Sequence, residues 1–163
     1  MIIENELKIF RLEDKEEYYK ELEKWYKEKE VNTYFEQREL SLEEIRNKYK
    51  ERTKEDAKVP VYLINYHNKD IGIIQYSKKE KDVYEIDIFI GEVNLLSKGL
   101  GTKVVTFFSD YLLKKAKKVI MCPLKSNKRA IKCYEKSGFI IKSEFLEKDT
   151  IGKENIYVLM EKE

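Results

Sequence analysis

Proline, histidine and cysteine are scarce in this sequence. Among 163 residues there are two prolines, one histidine (His67) and two cysteines (Cys122 and Cys133). The two cysteines have no metal-ligand spacing and the only histidine lies elsewhere, which argues against a zinc site and against a disulfide framework. We therefore expect no bound metal, and two reduced cysteines in or near the core.

A net charge of one sign is also missing, as is any long apolar run. The 33 basic and 31 acidic side chains leave a formal charge of +2, so no strong overall field favours nucleic acid or an acidic membrane. No apolar stretch approaches the ~20 residues that span a bilayer, and the opening MIIENELKIF lacks a signal-peptide pattern. We expect a cytoplasmic protein that binds neither nucleic acid nor a membrane.

Linkers, repeats and low-complexity tracts are absent too, which predicts one domain over residues 1–163. A strand over residues 7–12 is followed by a helix from Lys15 and by a second helix behind a Ser41–Glu44 capping box. The first helix has the apolar stripe Tyr18, Leu22, Trp25 and Tyr26, and the second has Leu42, Ile45 and Tyr49. Strands over residues 61–66, 71–77 and 83–90 then form a meander, with the polar residues 67–70 as its first turn.

The third strand of the meander carries two carboxylates on one face. Side chains alternate along a strand, so Glu85, Asp87 and Phe89 point one way, and the isoleucines at 86, 88 and 90 point the other. Taken alone, the pattern fits a solvent-facing surface with incidental acids. Its place directly before a glycine-containing loop makes a functional role worth testing.

The loop has the sequence Ser-Lys-Gly-Leu-Gly-Thr, residues 97–102, and it opens a helix. That helix has the apolar stripe Val104, Val105, Phe107, Phe108, Tyr111 and Leu112, and a buried strand over residues 119–123 follows, which together predict a βαβ unit with parallel strands. The N–H groups of a helix N-terminus attract phosphate, and glycine lets a ligand approach the backbone. The loop is not a Walker motif, because Thr102-Lys103 reverses the required order, nor a dinucleotide fingerprint, which needs a third glycine. Two glycines alone fit a structural turn equally well.

The segment SNKRAIKCYEKSGFII, residues 126–141, favours the phosphate-binding interpretation. Its Asn127, Ala130, Tyr134, Glu135, Gly138 and Phe139 resemble the second cofactor-binding signature of the GNAT N-acetyltransferase superfamily, and Gly99-Leu100-Gly101 resembles the pyrophosphate loop of that superfamily. The stretch FIGEVNLLSKGLGTK, residues 89–103, with Asp87 upstream, is similar to the aminoglycoside 6′-N-acetyltransferases. The similarity runs from about Leu7 to the C-terminus.

This resemblance implies an α+β GNAT fold with acetyl-CoA (coenzyme A) as cofactor. Its central sheet is mixed and flanked by helices, with an antiparallel N-terminal meander and a parallel βαβ pair that splays apart for acyl-CoA. The residues implied in cofactor binding are the main chain of Phe89, Ile90 and Gly91, the loop residues Ser97, Lys98, Gly99, Leu100, Gly101 and Thr102, and the residues Asn127, Ala130 and Tyr134.

The implied reaction is acetyl transfer to a primary amine of a small polycation, namely the 6′-amine of aminoglycoside antibiotics, which would confer antibiotic resistance. An amine arrives as ammonium and must lose a proton before it attacks. The resemblance makes Asp87 the general base and Tyr134 the general acid, although a tyrosine at position 134 also suits the core. The residues expected to bind the acceptor are Tyr34, Phe35, Glu36, Glu85 and Asp87.

Departures from the family pattern keep other interpretations open. Leu96 replaces a polar loop residue, Ile88 replaces a glutamine common in the subgroup, and residues 78–82, KKEKD, are short and basic. A protein or peptide N-acetyltransferase, acting on N-terminal or lysine amines, is the alternative enzyme. A non-catalytic acyl-CoA-binding module is the third possibility, and both a monomer and a homodimer fit the sequence.

Overall fold

The computed structural model describes all residues, 1–163. Eight strands form one mixed sheet in the order β1-β2-β3-β4-β5-β6-β8-β7. The pair β5–β6 is parallel, and the pairs β1–β2, β2–β3, β3–β4, β6–β8 and β7–β8 are antiparallel. The elements are β1 (Ile2–Glu4), β2 (Leu7–Arg11), α1 (Glu16–Tyr26), α2 (Lys29–Val31), α3 (Leu42–Lys50), β3 (Val61–Tyr66), β4 (Lys69–Glu80), β5 (Val83–Ile90), α4 (Leu100–Leu113), β6 (Lys118–Met121), α5 (Lys128–Lys136), β7 (Ile140–Lys148) and β8 (Glu154–Lys162). The α+β class and the mixed sheet are confirmed.

The contacts within the chain define two compact units. The first consists of Met1–Ser77 and Ile88–Leu95, and the second of Lys78–Asp87 and Leu96–Glu163. Strands β4 and β5 contribute residues to both units. The single domain over residues 1–163 stays a prediction.

The core of the first unit lies between helices α1 and α3 and the strands of the meander. Leu22, Trp25 and Tyr26 of α1 are fully buried, as are Ile45 and Tyr49 of α3. The predicted capping box at the start of α3 is confirmed, because the Ser41 hydroxyl accepts from the Glu44 N–H and the Glu44 carboxylate accepts from the Ser41 N–H.

Two details of this unit differ from the expected boundaries. On α1 Tyr19 is buried, whereas Tyr18 is only partly buried. The hairpin turn between β3 and β4 is two residues long rather than four, since His67 (φ 50°) and Asn68 (φ 61°) both adopt the left-handed conformation. Two successive left-handed residues suit a tight two-residue hairpin turn, whose backbone twist matches the twist of the flanking strands. Strand β4 therefore begins at Lys69.

In the second unit, the core lies between α4, α5 and strands β6 and β8. The α4 residues Val104, Val105, Phe108 and Leu112 are fully buried, as the helical stripe predicts, while Phe107 and Tyr111 are only partly buried. Residues 140–148 and 154–162 form an antiparallel pair, β7–β8, at the end of the sheet.

The parallel ladder between β5 and β6 is short. It joins Val83, Tyr84 and Glu85 to Lys118, Val119 and Ile120, although β5 continues to Ile90. A ladder that stops while one strand continues is the geometry expected of a splayed parallel pair.

Candidate active site

The glycine loop is shaped to bind an anion. Ser97 (φ 60°) and Gly99 (φ 79°) both adopt the left-handed conformation, and such turns direct successive N–H groups into a concave nest. Helix α4 starts at Leu100 without a side-chain cap and without an acidic residue in its first turn. Its unpaired N–H groups and the positive end of its dipole therefore face a site where negative charge is favoured.

Gly101 lies where α4 packs against α5. A Cβ added at Gly101 would meet the Cys133 Sγ at 3.5 Å, an ordinary van der Waals contact, and the Thr102 hydroxyl donates to the same sulfur at 3.4 Å. The Ser137 hydroxyl donates to the Thr102 carbonyl of α4 at 3.3 Å. Helix α5 thus supports the base of the loop.

Asn127 has a structural role in the start of α5. Its Oδ1 accepts from the Ala130 N–H at 3.2 Å, which makes Asn127 the N-cap of the helix. This cap fixes the helix that carries Tyr134. The cofactor contacts expected of Asn127 and Ala130 stay predictions.

Asp87 and Tyr134 influence each other electrostatically within the second unit. Asp87 is exposed, whereas only 8% of Tyr134 is exposed. Burial raises the pKa of Tyr134 well above its usual value, and the charges of Cys133 and Asp87 add to this rise. Burial, with the charge of Asp87, also raises the pKa of Cys122 to about 11. The residues that resemblance assigns as base and acid are thus brought into one neighbourhood.

Glu85 is paired with a lysine of its own unit. Its carboxylate lies 2.5 Å from the Lys79 Nζ, and only 14% of its side chain is exposed. The lysine comes from the basic segment KKEKD. This pairing reduces the negative potential that Glu85 offers to a cationic acceptor.

In the first unit, the end of β5 is enclosed by aromatic side chains. The Phe89 ring centroid lies 6.0 Å from that of Trp25, 5.6 Å from that of Tyr26 and 4.8 Å from that of Phe35. The Gly91 N–H donates to the Ile71 carbonyl at 2.7 Å. The Glu92 N–H donates to the same carbonyl at 3.2 Å.

Glu92, which sequence analysis did not identify, anchors this strand end. Its carboxylate accepts hydrogen bonds from Lys24 at 3.0 Å, from the Trp25 indole at 3.3 Å and from Lys69 at 3.1 Å. Burial by itself would raise the pKa of Glu92, but these three donors outweigh it and the pKa lies below its usual value. The only signal in the sequence was a carboxylate directly after the strand that carries Asp87.

Tyr34, Phe35 and Glu36 lie together on a single π-helical turn, Asn32–Glu36, of the first unit. All three are partly buried. The Glu36 carboxylate forms an ion pair with Lys48 of α3. The acceptor-binding role of these residues, and of Glu85 and Asp87, stays a prediction.

The structure contains neither a cluster of potential metal ligands nor a helix that could cross a membrane. No group of three or more His, Cys, Asp or Glu side chains comes together in a way that could hold a metal ion. No helix has both the length and the apolar character needed to cross a bilayer. The two cysteines form no disulfide and are partly buried, in agreement with the sequence.

Known proteins similar in sequence include acetyltransferases. The sequence profile of the acetyltransferase (GNAT) domain family matches residues 6–140. An aminoglycoside N(6′)-acetyltransferase type 1 of Klebsiella pneumoniae is 30% identical in an alignment 113 residues long that covers 61% of this chain and 56% of that protein. A kanamycin resistance protein of Rhizobium radiobacter is 43% identical over 56 residues, 33% of this chain and 52% of that protein. The matches thus span little more than half the length of these relatives.

Solved structures with the same fold use acceptors of several kinds. The aminoglycoside acetyltransferase AAC(6′)-Ib in complex with coenzyme A and kanamycin has a TM-score of 0.79 at 24% identity, covering 96% of this chain and 94% of that one. A spermidine N-acetyltransferase from Vibrio cholerae in complex with CoA and spermine has a TM-score of 0.80 at 18% identity, covering 96% of this chain and 95% of that one. An acetyltransferase from Salmonella typhimurium that modifies the N-terminal serine of ribosomal protein L7/L12 has a TM-score of 0.83 at 11% identity, covering 99% of this chain and 96% of that one. These likenesses confirm the fold and leave the acceptor open.

Proposed function

Because the chain belongs to the acetyltransferase (GNAT) domain family, we propose that it is an acetyl-CoA-dependent N-acetyltransferase. Its acceptor is a primary amine of a small polycation, and within that class the 6′-amine of an aminoglycoside. The observation that carries this proposal is the placement of Asp87 and Tyr134 in one neighbourhood of the unit that also holds the uncapped glycine loop. The 30% identical aminoglycoside acetyltransferase supports the acceptor.

The loop from Ser97 to Thr102 fits the pyrophosphate of coenzyme A. Left-handed Ser97 and Gly99 and the uncapped start of α4 direct N–H groups to one point, and exposed Lys98 and Lys103 add positive charge. Acetyl-CoA supplies the activated acetyl group when it is bound. Of the three residues Phe89, Ile90 and Gly91, Ile90 is the proposed donor to the thioester oxygen, since the Gly91 N–H already donates to Ile71.

Asp87 accepts the proton that the acceptor ammonium must lose. Its exposed position keeps the carboxylate within reach of a solvated amine, and a carboxylate in this position suits general-base catalysis. Tyr134, like any tyrosine, is protonated at neutral pH, and burial raises its pKa further. Its hydroxyl is therefore suited to donate a hydrogen bond to a sulfur that gains negative charge.

A protein or peptide N-acetyltransferase is the second candidate. The observation in its favour is that Glu36 and Glu85 are each paired with a lysine of their own unit, Lys48 and Lys79. These pairs lower the negative potential that would attract a polycation, whereas a peptide N-terminus brings a single amine. The acceptor assay described below separates the two candidates.

Acetyl-CoA is expected to bind without any metal, and Gly101→Val should weaken that binding about tenfold or more. The physical reason is that a Cβ at Gly101 faces the Cys133 Sγ at 3.5 Å, so the two methyl groups of valine would push α4 and the loop away from α5. Isothermal titration calorimetry in EDTA measures both affinities. Gly101→Ala is the matched control, since its Cβ has room beside Cys133, and it should bind more tightly than the valine variant. Absence of binding to folded wild-type protein would contradict the cofactor assignment.

Kanamycin and tobramycin are expected to be acetylated on the 6′-amine. A polyamine is attracted by carboxylates and held by charge-assisted hydrogen bonds, so its affinity should fall as salt is added. Mass spectrometry detects the added acetyl group and NMR locates it. If kanamycin, tobramycin and neomycin all stay unmodified while a peptide amine is acetylated, the protein N-acetyltransferase replaces the aminoglycoside assignment.

A further inference from the structure

An aromatic cage in the first unit encloses the ammonium group of Lys48. The Lys48 Nζ lies 5.7 Å from the ring centroid of Tyr26, 5.9 Å from that of Phe35 and 5.8 Å from that of Tyr49. The fourth contact is the ion pair with Glu36. Three ring faces and a carboxylate around one cation are the elements from which proteins build sites for organic ammonium groups.

The cage walls are held in place by the rest of the core. Tyr26 and Tyr49 are fully buried, and their hydroxyls share a hydrogen bond of 2.5 Å. Only 12% of the Glu36 side chain is exposed, so its carboxylate is strongly favoured to keep a cation beside it. The walls would therefore persist if the cation were exchanged for another.

Lys48 itself is less firmly enclosed than its cage. Its side chain is 22% exposed, and its four-carbon stem is flexible. The ammonium group can therefore leave toward solvent without unfolding α3. The π-helical turn that carries Phe35 and Glu36 is a local irregularity of a kind common at functional sites.

The cage adjoins the strand end where we place the acetyl-transfer chemistry. The Phe35 ring, which forms one wall, contacts the Phe89 ring at 4.8 Å. Phe89 directly precedes Ile90, the proposed donor to the thioester oxygen. An ammonium group in the cage would thus be separated from the main chain of Ile90 by one aromatic residue, Phe89.

We propose that Glu36, Tyr26, Phe35 and Tyr49 form a binding site for a primary ammonium group of a polyamine or amino sugar, and that Lys48 fills this site until such a group displaces it. The assignment of that ligand as the acceptor rests on the proposed function, whereas the ammonium site itself does not. Lys48 then sets acceptor specificity, because a cation must compete with it to enter.

Chemical rescue tests the site without any acetyl transfer. Lys48→Ala removes n-propylammonium from the side chain, leaves the Glu36 carboxylate without Lys48, and should lower Tm by about 5 °C or more. Added n-propylammonium should restore most of that loss in a saturable manner, measured by thermal unfolding. Neither 1-propanol nor sodium chloride at the same concentration should do so. If Lys48→Ala does not fold alone, refolding in n-propylammonium must recover it.

Two variants serve as controls for the rescue. Lys27→Ala removes an exposed lysine that pairs with Glu23 at 3.5 Å on the surface of α1, and n-propylammonium should have no effect on its stability. The double variant Lys48→Ala/Glu36→Gln lacks the carboxylate and should lose the rescue. Absence of saturable rescue of Lys48→Ala, or equal rescue of either control, would overturn the site.

Kanamycin affinity then tests whether the site receives the acceptor. Lys48→Ala should bind kanamycin about tenfold more tightly than the wild-type protein, because the internal competitor is gone. If n-propylammonium rescues the variant while kanamycin binds neither protein, the ammonium site stands and the proposed acceptor fails. If kanamycin is acetylated but no rescue occurs, the enzyme assignment stands and the cage is only structural.

Discussion

Asp87→Asn is expected to lower the turnover number by about 100-fold or more while leaving acetyl-CoA affinity unchanged. The amide keeps the size of the carboxylate but cannot accept the proton that an acceptor ammonium must lose. Because the cofactor is expected at the glycine loop rather than at this side chain, its binding should not respond. Steady-state kinetics with a polyamine acceptor and calorimetry with acetyl-CoA measure the two effects separately.

A reactivity measurement shows whether this variant acts locally. The charge of Asp87 contributes to the raised pKa of Cys122, after burial, so Asp87→Asn should lower that pKa and speed alkylation of Cys122 at mildly alkaline pH. Asp110→Asn on α4, which changes an exposed carboxylate that pairs with Lys162 of β8, should alter neither turnover nor Cys122 reactivity. Unchanged turnover in Asp87→Asn would transfer the base role to Glu85 or to a water molecule.

Gly91→Ala is expected to destabilise the protein by about 3 kcal/mol or more. An added Cβ would lie 2.1 Å from Cγ of the Trp25 indole, and Trp25 is fully buried with its N–H hydrogen-bonded to Glu92. Neither the new Cβ nor the Trp25 indole can move aside without disturbing the aromatic cluster around Phe89. Chemical denaturation at equilibrium measures the loss in the free energy of unfolding.

The clash can be assigned to the indole by a second substitution. Trp25→Leu is destabilising alone because it removes a buried ring, but it should make Gly91→Ala much less costly in the double variant. Gly101→Ala, whose Cβ has ordinary contact distances, should stay close to wild-type stability. If the effects of Trp25→Leu and Gly91→Ala simply add, the proposed clash is wrong.

The elements with strong local signals could be predicted from the sequence. Strand β5 was predicted at its observed bounds, since its apolar and polar residues alternate, and the Ser41–Glu44 capping box is a local pattern. Strands β7 and β8 were not predicted. For β7 the reason is that eight of its nine residues are exposed and a register shift lies between Ile141 and Ser143, so no regular period marks a buried face.

The candidate site was predictable only in part, because a pattern gives the face of one element but not its neighbours. The loop of residues 97–102 at the start of a helix was predicted from its two glycines, whereas the left-handed conformation of Ser97 was not. The association of Asp87 with Tyr134 came from the family resemblance. The ion pairs of Glu36 with Lys48 and of Glu85 with Lys79 were not predicted. Which lysine reaches a given carboxylate depends on how separate segments pack, and the sequence contains many lysines that could do so.

The π-helical turn Asn32–Glu36 has an evolutionary consequence. A π-helical turn carries one more residue than an α-helical turn, so the loss of a single codon here would restore ordinary winding. Each residue of an α-helix turns the chain by about 100°, and Phe35 and Glu36 would rotate away from the Lys48 ammonium together. A lineage of this protein could therefore lose or regain the proposed ammonium site by one short deletion or insertion.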